Sequence, residues 1–399
     1  MEFSANVQQL KPSETIAVNS LAKRLQAEGR DIINLGAGEP DFDTPAWMSQ
    51  AAIEGIHAGQ THYTAAPGMP ELRQAIADSY EHRGRTVEWS QVVVSAGAKQ
   101  SLFNACFTLF GPGDEVLIAA PYWTTYPALV HLARAEPVTV AGSEELDFRL
   151  RPEDLDGVAT DRTRGLILCS PSNPTGTVYS LDELRAVAEW ARDRDVWLIS
   201  DEIYRLIYHG DDRDSAPSVV DLDEGSLGPH VIVDGVSKCF AMTGWRIGYT
   251  VSDAGLAGKM AALQSQTTSN PASPSQLATL AAFTQPERAA GEVATMLEAF
   301  RRRRNLVVGL VRDLLPEVGF VRPRGAFYLF FRVDSFFDDE VPDSSAFCTW
   351  LLEKAGVAVV PGSAFGDDRY VRMSFASSDD VLESGIRRIA EAVAARKSG

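Results

Sequence analysis

The chain has 399 residues, with 54 Asp and Glu against 37 Lys and Arg, and a formal charge of −17 at pH 7. That excess opposes nucleic acid and anionic membrane surfaces as partners, while the length is enough for one large and one smaller domain, each with its own core. The four cysteines, Cys106, Cys169, Cys239 and Cys348, show neither CxxC nor zinc-ligand spacing, which points to a reduced, cytoplasmic setting without a metal site.

Residues 1–10 lack a charged-then-apolar leader pattern, and no apolar run approaches ~18 residues, so secretion and membrane spanning are not expected. Pro12-Ser13-Glu14 reads as a capped helix start, with the helix continuing to about Ala27. A strand from Asp31 then runs into the turn Gly36-Ala37-Gly38-Glu39-Pro40-Asp41. A dinucleotide fingerprint fails here, because Asp41 stands where the third glycine belongs and Pro40 interrupts the helix start. His62-Tyr63-Thr64 leads through Pro67 and Gly68 into a helix beginning at Pro70.

Val92-Val93-Val94-Ser95 is a β-branched run of buried-strand type, followed by the small-residue turn Ala96-Gly97-Ala98-Lys99 and a helix near Ser101. A strand, a tight turn and a helix N-terminus together form a cradle of N–H donors for a phosphate. Further strands follow at Glu115–Ile118, Leu166–Cys169, Val196–Ser200 and Val231–Asp234, with Asn173-Pro174-Thr175-Gly176 after the second and Asp201 closing the third. Strands alternating with helical stretches predict an α/β fold with a mostly parallel, doubly wound sheet and a site at the strands' C-terminal edge. The block Arg301-Arg302-Arg303-Arg304 lies within a helical pattern of apolar residues from Val293 to Leu314, and reads as its solvated, ion-paired flank.

The densest chemistry lies at Gly235-Val236-Ser237-Lys238-Cys239-Phe240-Ala241-Met242-Thr243-Gly244-Trp245-Arg246-Ile247-Gly248. Apolar surroundings disfavour an ammonium, leaving Lys238 nucleophilic enough to condense with an aldehyde. Ser237 and Arg246 add a hydroxyl and a guanidinium fork suited to a phosphate monoester. A phosphorylated aldehyde held by one lysine describes pyridoxal 5′-phosphate. Cys239 reads as a small buried apolar residue.

This stretch resembles the lysine signature of the class I/II aminotransferases, of fold type I, and its Ala241–Tyr249 run is similar to the prokaryotic aspartate aminotransferase branch. The resemblance spans motifs from Lys11 to Arg372. It implies cofactor phosphate contacts from Gly97, Ala98, Lys99, Ser237 and Arg246, and from Tyr63 of a neighbouring subunit, so that a homodimer shares its sites. It implies that Trp123 stacks on the cofactor ring, that Asn173 and Tyr204 meet its 3′ oxygen, and that Asp201 keeps its nitrogen protonated. Gly38 and Arg372 would meet the substrate α-carboxylate, with Trp123 and Asn173 also lining that pocket. Lys238, Asp201 and Tyr204 are the expected catalytic set, with Lys238 as general base and acid.

The implied organisation is an N-terminal arm with part of the small domain over residues 1–45, a large cofactor-binding domain over 46–285 and a small α+β domain over 286–399. Two departures matter. Ser265 occupies the place of the arginine that grips the distal carboxylate in animal and enteric enzymes, leaving Lys99 and Lys11 as candidates for that role. Gly235 stands where the family often has a phosphate-binding serine. Aspartate and 2-oxoglutarate are the expected substrates, with prephenate tolerated. An alanine or aromatic aminotransferase or a β-lyase on the same fold is the alternative, and a cofactor-binding transcription regulator is disfavoured by the acidic charge.

Overall fold

The computed structural model describes residues 3–8, 10, 12, 14–81 and 83–398. Its strands in chain order are β1 Ile33–Asn34, β2 Val92–Ser95, β3 Glu115–Ala120, β4 Glu136–Ala141, β5 Thr163–Cys169, β6 Trp197–Asp201, β7 His230–Gly235, β8 Gly248–Val251, β9 Tyr328–Arg332, β10 Val357–Ala358, β11 Val360–Pro361 and β12 Tyr370–Ser374. Seven of them form one sheet in the order β2-β8-β7-β6-β5-β3-β4. The pairs β3–β4, β3–β5, β5–β6 and β6–β7 are parallel, while β8 runs antiparallel to both β2 and β7.

The β-branched run of β2 is buried along its whole length. Val94 and Val92 join the cluster on one face of the sheet, and Val93 joins the cluster on the other. Side chains of this size each stabilise by roughly 1.5–3 kcal/mol on full burial. With helices on both faces, the polar and chemically useful groups are confined to the strand ends. The helix Leu181–Asp193 shows the local logic: Ser180 Oγ accepts from Glu183 N at 3.3 Å, and Glu183 Oε2 accepts from Ser180 N at 2.8 Å, a reciprocal cap that fixes where the chain re-enters order after Asn173.

The reversed strand explains how the lysine segment is held. β7 ends at Gly235 and β8 begins at Gly248, and these two residues pair across the ladder. The thirteenth residue after Gly235 therefore returns to its side, and the loop bearing Lys238 is clamped at both ends. A Cβ on Gly235 would lie 2.9 Å from Gly248 Cα and 2.9 Å from Ile247 O. The missing serine has a steric cause: this crossing has no room for a side chain.

Toward the C-terminus, β11, β12 and β9 form a three-stranded antiparallel sheet, and β1 pairs in parallel with β10. The helix Pro286–Leu314 lays Met296, Phe300, Val307 and Val311 into this region's core. Arg303 sits on that same face, since 296, 300, 303 and 307 follow helical spacing. It is buried and donates to both oxygens of Asp41, at 2.7 and 2.8 Å. The expectation of a solvated arginine block is thus corrected at Arg303, a buried bidentate anchor for the Gly36–Asp41 turn. Its neighbour Arg302 is exposed and pairs with Asp379.

Candidate active site

A cavity of about 450 Å³ lies at the C-terminal ends of β5, β6 and β7, roofed by β12 and by the helix Glu14–Ala27. Lys238, Ser237, Asp201, Tyr204, Asn173, Trp123, Lys99, Ala98, Arg246, Gly38 and Arg372 all line it. Residues scattered from 38 to 372 are thereby brought to one place.

Lys238 Nζ donates to Gly38 O at 2.6 Å. Burial pushes its pKa down to about 8; Arg372 and Arg246 push the same way, and Glu39 opposes them. At neutral to mildly alkaline pH a substantial part of this amine is free base, the form that attacks a carbonyl carbon. Behind it, Asp201 Oδ2 accepts from Tyr126 OH at 2.6 Å and Oδ1 from Ile203 N at 3.2 Å. Burial raises the Asp201 pKa to about 6, those two hydrogen bonds pull it down, and the nearby Asp234 and Glu202 add to the rise. A protonated ring nitrogen beside this carboxylate would stabilise its charged form, and the carboxylate would stabilise the proton.

The phosphate end is a cradle. Gly97 has φ +88°, and a Cβ there would lie 2.4 Å from Arg246 Nη2, so only glycine lets the guanidinium come down on the turn. Arg246 itself holds φ +57°, a strained conformation for a non-glycine residue. It is tied by Nη1 to Thr243 O at 2.9 Å. The helix begins at Ala98 and not near Ser101, so the first orphan N–H groups are those of Ala98 and Lys99. Gly97 N–H donates to Ser95 O at 2.7 Å. The glycine thus makes room for Arg246, and its own N–H lies against Ser95 O within the turn. A guanidinium, the Ser237 hydroxyl and a helix N-terminus form a donor set that fits a phosphate.

Opposite lies Arg372, almost wholly buried. Nη1 donates to Asn173 Oδ1 at 3.0 Å and Nη2 to Gly36 O at 2.8 Å. Nε is buried without a partner, and no carboxylate of the chain pairs with this arginine among the described residues. Burial lowers its pKa. A buried, unneutralised guanidinium is costly on its own, and a substrate carboxylate would repay that cost with a charged hydrogen-bonded pair. The guanidinium carbon sits 4.3 Å over the Tyr328 ring, and Tyr328 OH meets Tyr204 OH at 2.8 Å. Burial raises the pKa of both phenols, so both remain protonated donors at neutral pH.

Trp123 stands edge-on to Tyr126, at 5.5 Å and 84°, and Lys99 Nζ lies 5.0 Å over its ring. Burial, then Arg246, lowers the Lys99 pKa. Tyr63 is 92% exposed and lies apart from the cavity, so a single chain does not bring it to the site. Lys11 lies outside the described residues. Ser265 is exposed and does not line the cavity. Sequence reasoning missed Tyr126 and the helix residues Ile16 and Asn19, which also line the cavity, while Tyr328, which also lines it, closes a turn from Pro323 that resembles a family turn facing the site. Tyr126 follows Trp123 by three residues at a helix start, the one signal that could have marked it.

A fold-type I architecture with a lysine, a strand-end carboxylate and two arginines around one cavity defines a cofactor-dependent transferase of the aminotransferase type. The chain belongs to the family "Aminotransferase class I and II", whose description matches residues 30–389. It is 43% identical over 97% of its length to an aspartate/prephenate aminotransferase of Cereibacter sphaeroides, 97% of which is covered. It is 40% identical to an aspartate aminotransferase of Bacillus subtilis, with 98% of each chain covered. Among solved structures, the Thermus thermophilus aspartate aminotransferase with maleate superposes with a TM-score of 0.91 at 39% identity, covering 98% of this chain and 100% of that one.

Proposed function

We propose that this protein transfers the amino group of L-aspartate to 2-oxoglutarate, giving oxaloacetate and L-glutamate, with prephenate as a further acceptor. The observation that carries this reading is the pairing of a partly deprotonated Lys238 with a buried, unneutralised Arg372 across one cavity. Pyridoxal 5′-phosphate, the proposed cofactor, supplies an aldehyde to receive the amino group and a ring that withdraws electrons from the adjacent carbon.

The chain's own residues divide the remaining work. Arg246, Ser237 and the N–H groups of Ala98 and Lys99 would grip the phosphate. Asp201, steadied by Tyr126, would hold a proton at the ring nitrogen. Tyr204 and Asn173 would orient the 3′ oxygen, and Trp123 would cover one face and exclude water. Arg372, aimed by Asn173 and Gly36, binds the substrate α-carboxylate beside the Gly38 N–H. That would place the α-hydrogen near Lys238, whose amine would take and hold that proton. Lys99 is the ammonium for the distal carboxylate, with Lys11 a second candidate. A homodimer in which Tyr63 completes the neighbouring site belongs to this reading, as does the division into residues 1–45, 46–285 and 286–399. Relatives named for aspartate and prephenate support the substrate choice.

Steady-state assays with aspartate and 2-oxoglutarate should give parallel double-reciprocal lines, the pattern of a ping-pong reaction. Alanine or phenylalanine as the preferred donor, or release of ammonia and pyruvate, would contradict the assignment. An ammonium anchors one carboxylate with little directional demand, so Lys99→Ala should lower kcat/KM for aspartate about 10- to 100-fold while sparing alanine. Equal loss for both donors would remove Lys99 from specificity.

A further inference from the structure

The turn that carries Arg246 is held from outside its own segment. Between the end of β7 at Gly235 and the start of β8 at Gly248 the chain forms neither helix nor strand, so no backbone ladder fixes the far side of this loop. Two non-glycine residues there stand in the left-handed region, Ala241 at φ +50° and Arg246 at φ +57°. Such a conformation persists only where the surroundings over-determine it.

Those surroundings come from residues 39–44, far earlier in the chain. Thr44 Oγ1 donates to Ala241 O at 2.9 Å and accepts from Trp245 Nε1 at 2.9 Å. A hydroxyl has one proton to give and lone pairs to accept with, so this single side chain ties one strained residue to the immediate neighbour of the other. Between them, Thr243 Oγ1 donates to Glu39 Oε2 at 3.0 Å, while Thr243 O accepts from Arg246 Nη1 at 2.9 Å. Thr44 is a stiff brace. Pro45 follows it and disfavours helical backbone at Thr44, its branched Cβ limits χ1, and the helix Ala46–His57 begins directly after Pro45. Asp41, in the same segment, is gripped by Arg303. The transamination derived above uses neither Thr44 nor Trp245.

We propose that Thr44 is a positioning residue for the cofactor phosphate: its hydroxyl locks the Ala241–Arg246 turn, and with it the guanidinium that comes down on the Gly97 turn. This role rests on the reading of Arg246 as a phosphate donor. With the brace in place the guanidinium is aimed in advance, and the phosphate does not have to order it on binding. Without the brace the turn relaxes and the charged hydrogen bonds weaken. Lys238 lies closer to the clamp between Gly235 and Gly248, so the loss falls on the phosphate end of the site and not on the amine.

The test compares the dissociation constants of the full chain for pyridoxal 5′-phosphate and for pyridoxal, which lacks the phosphate. Thr44→Val keeps the shape of the side chain and removes the hydroxyl. It should weaken pyridoxal 5′-phosphate about tenfold, the scale of one charged hydrogen bond, and change pyridoxal by less than about twofold. Thr44→Ser should restore wild-type binding of both. Arg246→Ala, the control for the phosphate reading, should cost about 100-fold for pyridoxal 5′-phosphate alone. Equal weakening of both ligands by Thr44→Val would mean a general loss of structure and would overturn the role given to Thr44. Wild-type binding in Thr44→Val, or binding in Thr44→Ser as weak as in Thr44→Val, would overturn it too. If Arg246→Ala shows no phosphate-specific loss, the reading of Arg246 fails and the role of Thr44 falls with it; such a loss in Arg246→Ala with none in Thr44→Val removes Thr44 alone.

Discussion

The inner wall of the active-site cavity and its mouth are built differently. Asp201, Asn173 and Arg372 are buried, and each is fixed by a partner from a distant part of the chain: Tyr126 for Asp201, and Arg372, itself bound to Gly36, for Asn173. At the mouth, Ile16 is 60% exposed and Lys99 reaches over Trp123, while Tyr63, apart from the cavity, is 92% exposed. Groups proposed to move protons and to bind the invariant parts of an amino acid are held by the single chain. Groups that choose a side chain, or that would serve a neighbouring subunit, are left open to whatever binds.

Attacking the inner wall should therefore cost the most. Lys238→Ala is expected to lower kcat by about 10⁴-fold or more for every donor, since it removes the proton carrier; stopped-flow half-reactions with aspartate and with alanine measure this. Arg372→Leu should lower kcat/KM about 10²- to 10³-fold, equally for aspartate and alanine, by removing a buried charged pair. A loss confined to aspartate would move Arg372 from the inner wall to the specificity group.

A smaller effect separates support from chemistry. Tyr126→Phe removes a hydrogen bond that lowers the Asp201 pKa, so that pKa should rise from about 6 by about one unit. Activity should fall by about half at pH 7 and about fivefold at pH 6, and recover as the pH is raised, because the carboxylate ionises again. A uniform loss at all pH values would mean that the phenol acts otherwise. Lys238 gives the complementary sign. Its pKa is depressed to about 8, so the rate at which apo-protein takes up pyridoxal 5′-phosphate should rise about tenfold per pH unit below that value and level off above it.

The same contrast governed what the sequence disclosed. Strand runs such as Val92–Ser95 and Leu166–Cys169 are short, mostly apolar stretches, and their being buried strands followed from pattern alone. Asp201 ends such a strand and Lys238 follows one, so their convergence was legible too, whereas Arg372 lies inside β12 and its place was read from the family resemblance. Gly235 was read as an odd departure, because the close crossing with Gly248 is a contact between backbones and leaves no trace in residue type. Arg303 was misplaced since four consecutive arginines mask which one falls on the apolar face. Tyr126 was overlooked because a buried tyrosine serving a carboxylate looks, in one dimension, like any core aromatic.

The central claim is that one amine, Lys238, is the covalent anchor. Borohydride reduction of the protein reconstituted with pyridoxal 5′-phosphate, followed by peptide mass mapping, tests it directly. The account predicts a single phosphopyridoxyl group, on the peptide carrying Lys238. Attachment to Lys99 or another lysine, or no stable attachment at all, would contradict it.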